Sequence, residues 1–205
     1  MLASAVAAGH LLRMFIQTEQ TPNPLTLKFL PGKPVTGEGT AEFRDAEAAQ
    51  ASPLARALFD VEGVRRVFFG PDFITVSRDE DGLEWRQLKA PILAAIMEHY
   101  ASGQALYAQG AAGDGAHGGD VYEGDTAQVV SEIKELLDTR IRPAVARDGG
   151  DILFDRFDAE NGVVWLNMRG SCSGCPSSTA TLKAGVENLL KHYVPEVTRV
   201  EQTAL

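Results

Sequence analysis

A stretch rich in glycine and alanine divides the sequence into two parts, each with a hydrophobic pattern of its own. Residues 101–125 contain few bulky apolar side chains, and Gly110–Gly119 holds too little apolar surface to order itself. We therefore predict two small domains, at residues 14–100 and 126–205, joined by a flexible linker at residues 101–125. Residues 1–13 are apolar and lack acidic side chains. They are interpreted as an N-terminal extension without stable structure, with a clipped targeting peptide as the alternative.

The first domain mixes strand and helix patterns without regular alternation. Ser52 is expected to cap a helix that starts at Pro53. Glu84–Tyr100 repeats apolar residues at helical spacing, and Pro91 is expected to break or kink that helix. Strands are predicted at Phe15–Gln20, Leu25–Leu30, Thr40–Arg44, Val64–Phe69 and Phe73–Ser77. This mixture favours an α+β fold over a doubly wound parallel sheet.

Two features of the first domain have both a structural and a binding interpretation. The loop Thr21–Pro24 contains two prolines, which favours a rigid connector over a partner-binding loop. Phe68, Phe69 and Phe73 are interpreted as core residues rather than as a binding stripe. The first half of the chain shows no catalytic constellation.

The second domain is predicted to follow the order helix, strand, strand, helix, strand. Apolar residues from Val129 to Ile141 mark the first helix. The motif Asp148–Asp151 contains paired glycines, which indicate a helix end, while its two carboxylates make only a weak cation site. The remaining elements are predicted at Ile152–Phe157, Val163–Met168, Ser177–Tyr193 and Val197–Glu201.

The only cysteines, Cys172 and Cys175, lie in a Gly- and Ser-rich turn between the second strand and the second helix of this domain. Two thiols at this spacing can bind one metal, share a cluster or form a disulfide. A helix N-terminus favours negative charge, so thiols in this turn are expected to have a lowered pKa. Gly170 and Gly174 are expected to shape the turn.

The turn offers fewer ligands than a metal site needs. A structural zinc ion or an iron–sulfur cluster takes about four protein ligands, whereas the turn supplies two thiols and His192 lies a helix length away. Two copies of the chain could pool their thiolates around one cluster on a two-fold axis. Disulfide chemistry and a zinc-bridged dimer remain alternatives. A thioredoxin-like oxidoreductase needs more sheet after this motif than the one helix and one strand that follow Cys175. Arg169 and Lys183 are interpreted as solvated, with a charge-offsetting role at a cluster as the alternative.

Several of these motifs resemble those of a known family. Arg142–Asp151, Leu166–Ser178 and Tyr193–Val197 strongly resemble the NifU C-terminal domain of Nfu-type iron–sulfur proteins. Phe15–Pro24 and Phe29–Pro34 look like the N-terminal domain of the mitochondrial and alphaproteobacterial branch. The resemblance covers almost the whole chain except its first residues and the linker.

The resemblance implies an iron–sulfur cluster scaffold or carrier rather than an enzyme. It implies that Cys172 and Cys175 bind a 4Fe–4S cluster that bridges two subunits, so the cluster-loaded form is expected to be a homodimer. The implied partners are upstream cluster assembly proteins and apo iron–sulfur client proteins, to which the cluster is transferred. The alternative function is a thiol–disulfide oxidoreductase that uses the same cysteine pair.

Charge and composition exclude some other partners. The net charge of −9 disfavours nonspecific binding to nucleic acid or to an anionic membrane surface. No apolar run approaches the roughly 20 residues of a membrane span. Two cysteines do not form a secreted disulfide framework, which indicates a reducing compartment. We expect a cytoplasmic protein, with the mitochondrial matrix as the alternative.

Overall fold

The computed structural model describes residues 15–108, 121–173 and 176–203. The predicted N-terminal extension and the centre of the predicted linker lie outside the described residues, as do Gly174 and Cys175. Helices and strands mix in both halves, which confirms the predicted α+β fold class. Within the described ranges, no helix is both long and apolar enough to cross a membrane.

The first domain is a five-stranded antiparallel sheet with two helices packed on one face. Its strands are β1 (Gln17–Gln20), β2 (Thr26–Leu30), β3 (Ala41–Phe43), β4 (Val64–Phe69) and β5 (Ile74–Arg78), in the spatial order β1-β2-β5-β4-β3. Its helices are α1 (Pro53–Phe59), which follows a 3-10 turn at Ala48–Ala51, and α2 (Trp85–Ser102). Every strand predicted for this half is present, with ends that shift by one or two residues.

Both faces of this sheet are buried along its inner strands β2 and β5. Side chains alternate along a strand, so Leu27 and Phe29 pack with the helices while Lys28 points the other way. Lys28 is nevertheless only 7% exposed, because the second domain covers that face. Phe69 lies in the helix-side core as predicted. Phe68 and Phe73 are buried outside that core, with their ring centroids 5.9 Å apart.

The two helices of the first domain begin as the sequence indicates. The Ser52 hydroxyl accepts a hydrogen bond from the Ala55 N–H at 3.2 Å, and Pro53 is the first helical residue. Of the predicted break or kink at Pro91, the break is wrong, because α2 runs through this residue without interruption. Packing outweighs the missing N–H at the proline, since the buried stripe continues on both sides of it. That stripe consists of Leu88, Ile92 and Ile96.

The second domain has the predicted element order. Its helices are α3 (Gly124–Leu136), which continues through a π-helical turn (Leu137–Ile141) into α4 (Arg142–Arg147), and α5 (Pro176–Tyr193). Its strands are β6 (Gly150–Asp158), β7 (Val163–Gly170) and β8 (Arg199–Gln202). β7 lies in the centre of the sheet, antiparallel to β6 and parallel to β8. The helices bury their apolar stripes with one face of this sheet in a second core.

We expect the substitution Ser52→Ala to lower the free energy of unfolding by about 1–2 kcal/mol, because it leaves a helix N–H without its acceptor in a fully buried position. Urea titration followed by circular dichroism measures the change. Ser131→Ala is the control, since it makes the same change at an exposed position within α3. A loss of equal size in both variants would contradict the capping role.

Candidate functional site

Cys172 lies at the strand-to-helix junction predicted from the sequence, two residues after β7 ends and four before α5 begins. Its N–H donates to the Arg169 carbonyl at 3.4 Å, and the Ser173 N–H donates to the Gly170 carbonyl at 3.2 Å. On the other side, the Thr179 hydroxyl of α5 donates to the Cys172 carbonyl at 2.9 Å. Hydrogen bonds therefore attach residues 170–173, which we call the cysteine turn, to both neighbouring elements.

The cysteine turn packs directly on a second turn, residues 148–151, which we call the aspartate turn. The Ser171 N–H donates to the Gly149 carbonyl at 3.2 Å, and the Ser171 hydroxyl donates to the Asp148 carbonyl at 2.6 Å. A Cβ on Gly150 would lie 2.5 Å from the Cys172 sulfur and 2.7 Å from the Arg169 carbonyl oxygen. Only glycine therefore fits against the sulfur.

The Cys172 thiol is buried and protonated in this conformation. It is 7% exposed within the core of the second domain, and burial raises its pKa to about 12. The negative charges of Asp148 and Asp151 act in the same direction, while the nearby Ser171 hydroxyl acts against them. The predicted lowering of the pKa is thus wrong for Cys172, because desolvation outweighs any effect of the helix N-terminus. The prediction for Cys175 lies outside the described residues.

Asp151 serves as an acceptor within the fold. The Arg142 guanidinium donates to both of its carboxylate oxygens, at 2.8 and 3.0 Å, and the Thr40 hydroxyl of the first domain donates at 2.9 Å. This pairing raises the pKa of Arg142 above its usual value. In the part of the chain that the structure describes, no three His, Cys, Asp or Glu side chains cluster as metal ligands. The described residues therefore add no complete metal site to Cys172.

Side chains of the first domain also reach the cysteine turn, which the sequence did not indicate. Arg66 donates to the Ser173 hydroxyl, and the Asn23 amide donates to the Ser173 carbonyl at 3.3 Å. Glu42 accepts the Gly170 N–H at 2.9 Å. The loop Thr21–Pro24 is therefore a contact surface as well as a connector. Detecting these residues requires the strand register, which places distant polar positions on one sheet face.

Arg169 and Lys183, the two cations near the cysteine motif, differ in how far they are exposed to solvent. Arg169 is 2% exposed, so its interpretation as a solvated side chain is wrong. It lies near the end of β7, the central strand of its sheet, where both faces are covered. Lys183 remains partly exposed on α5 and forms an ion pair with Glu201 at 2.6 Å.

We expect the substitution Gly150→Ala to lower the free energy of unfolding of the second domain by about 1–3 kcal/mol, because the added methyl group overlaps the Cys172 sulfur and the Arg169 carbonyl. Chemical unfolding in a Trp85→Phe background, followed by the fluorescence of Trp165, measures the change. Gly185→Ala is the matched control, because nothing lies within 4 Å of its added Cβ and alanine favours helix. The packing argument fails if the two variants are equally stable.

Comparison with known proteins connects this site to a family. Residues 16–103 match the family model described as scaffold protein Nfu/NifU N terminal, and residues 133–201 match the NifU-like domain. The chain is 52% identical over 194 residues to NifU-like protein 4, mitochondrial, from Arabidopsis thaliana, covering 95% of this chain and 68% of that protein. It is 51% identical to the human NFU1 iron-sulfur cluster scaffold homolog, mitochondrial, covering 92% of this chain and 72% of that protein. The resemblance seen in the sequence is thereby confirmed, and this chain belongs to the family of Nfu-type NifU-like proteins.

Proposed function

We propose that this chain is an iron–sulfur cluster scaffold and carrier whose Cys172 and Cys175 bind a 4Fe–4S cluster between two copies of the chain. One observation carries the proposal. The sequence has only two cysteines, which are separated by two residues, and relatives of the chain include a protein named as an iron–sulfur cluster scaffold homolog. The cluster is cargo in this proposal, so the chain holds it for transfer and catalyses no reaction of its own.

The number of ligands favours a shared cluster. Each copy offers two thiols, and a cluster takes about four protein ligands. A two-fold dimer places the same turn on both sides of its axis, so two copies supply the complete set. Each copy then holds the cluster through two bonds only, which supports transfer over permanent retention. His192, near the end of α5, is outside the proposed ligand set.

The proposed partners follow from the carrier role. Upstream assembly proteins supply the cluster, and apo iron–sulfur client proteins receive it. The N-terminal domain is non-catalytic in this proposal, and its part is to contact the cysteine turn. Of the two compartments expected from the sequence, the names of the relatives favour the mitochondrial matrix over the cytoplasm.

The rival function, thiol–disulfide exchange, needs a reactive thiolate. Cluster binding needs a thiolate as well, so the buried, protonated Cys172 of this conformation suits neither function and does not separate the two. The Arabidopsis and human relatives are named for NifU likeness and for iron–sulfur cluster scaffolding. Their names, rather than the pKa of Cys172, favour the carrier.

Anaerobic reconstitution with iron and sulfide tests the proposal. We expect about two iron and two sulfide per chain, together with the mass of a dimer, because one 4Fe–4S cluster is divided between two copies. The double variant Cys172→Ala, Cys175→Ala is expected to lose both iron uptake and dimerisation. His192→Ala is the control and should bind as the unaltered chain does.

Four results would contradict the proposal. Iron uptake by the double variant would remove the cysteines from the ligand set. A cluster-loaded monomer would contradict sharing. Insulin reduction without iron uptake would favour the oxidoreductase, whereas tight zinc binding without cluster transfer would favour a zinc-bridged dimer.

A further inference from the structure

A single row of side chains crosses the whole sheet of the first domain on the face opposite its helices. Strand pairing aligns one residue from each strand in this row. Residues paired in this way on one face are direct neighbours. The members, which we call the cross-strand row, are Glu19, Lys28, Thr75, Phe68 and Glu42 in spatial order.

Near its Glu19 end, the cross-strand row binds the end of α4 through Lys28. The Lys28 ammonium donates to the carbonyl oxygens of Ala146 and Arg147, at 3.1 and 3.0 Å. The last carbonyls of a helix lack helical partners and form the negative end of its dipole, so a cation is favourable there. These bonds enclose an amine that would be solvated if the first domain stood alone.

The middle and the other end of the cross-strand row contact the two turns at Cys172. The Thr75 hydroxyl donates to the Gly149 carbonyl at 3.0 Å, in the aspartate turn. Glu42 accepts the Gly170 N–H at 2.9 Å, in the cysteine turn. The Phe68 ring lies so close that a Cβ on Gly170 would be 3.0 Å from it.

The same interface borders Cys172 from two directions. Arg66 and Asn23 bind Ser173, the next residue in the chain. Thr75 binds Gly149, the neighbour of the glycine that touches the sulfur. A cluster shared between two copies requires the partner's thiols to reach the same turn. The first domain occupies the approach to that turn in this conformation.

We propose that the cross-strand row is a removable cap on the cysteine turn, and that the capped chain and the cluster-bridged dimer exclude each other. This inference rests on the proposed carrier function for its second half. The first domain then protects the turn while no cluster is present, and it must move away before two copies can share one. The cap and the cluster-bridged partner copy compete for the same turn, so binding of either one opposes binding of the other.

Acylation of Lys28 tests the cap without involving the cysteines. We expect sulfosuccinimidyl acetate to modify Lys28 much more slowly than Lys33 in the cluster-free chain, because Lys28 is buried against the second domain and Lys33 is exposed. Peptide mass spectrometry under limiting reagent gives both rates in one sample. Equal rates in the cluster-free chain would overturn the cap.

Two substitutions combined in one double variant remove interdomain hydrogen bonds while leaving Lys28 in place. Thr75→Val and Glu42→Ala together are expected to speed Lys28 acylation about tenfold, the factor that corresponds to about 1.4 kcal/mol and to one or two hydrogen bonds. Arg65→Ala is the matched control, because this exposed neighbour on β4 pairs with Asp79 within the first domain. A tenfold rise in the control, or no rise in the double variant, would contradict the contacts assigned here.

Cluster loading tests the exclusion. After anaerobic reconstitution, the Lys28 rate is expected to approach that of Lys33, and the double variant is expected to take up iron faster than the unaltered chain. Persistent protection of Lys28 in a cluster-loaded dimer would overturn the exclusion and leave the carrier function standing. A chain that takes up no cluster would overturn the carrier function and the exclusion, while the measurements on the cluster-free chain still decide the cap.

Discussion

The close approach of two backbone turns determines the surroundings of Cys172. Gly149, Gly150 and Gly170 lie where the turns meet, and added Cβ atoms there would come within 2.5–2.7 Å of a neighbouring atom. Gly149 and Gly170 also have positive φ values of +84° and +63°. Without side chains at these positions, the sulfur can lie against backbone and the sheet of the first domain can lie against both turns.

Much of this architecture follows from local sequence patterns. The strand and helix spacing, the Ser52 cap and the strand-to-helix position of Cys172 are all present as predicted. The order of the second domain is likewise readable, because each element carries its own apolar period. Such patterns report how one segment buries one face, and the sequence contains them in full.

What the sequence leaves out depends on the contact between segments far apart in the chain. Lys28 alternates with apolar residues, which is typical of a solvated strand position, yet it is buried by carbonyls 118 and 119 residues away. The pKa of Cys172 likewise depends on contacts between distant segments, because the surrounding core desolvates the thiol and outweighs the adjacent helix. The interpretation of Arg169 as a solvated side chain is wrong for the same reason. The α2 helix differs, since there tertiary packing overrides the local preference of Pro91.

Asp151 shows what happens to the polar groups of this interface when the two domains separate. Its carboxylate keeps Arg142 and the Ile152 N–H, both from its own domain, and exchanges only the Thr40 hydroxyl for solvent. The carbonyls that face Lys28 and Thr75 can likewise accept water. The aspartate turn thus keeps its internal hydrogen bonds whichever domain arrangement is occupied. Separation changes hydration at a preformed surface and does not require either hydrophobic core to unfold.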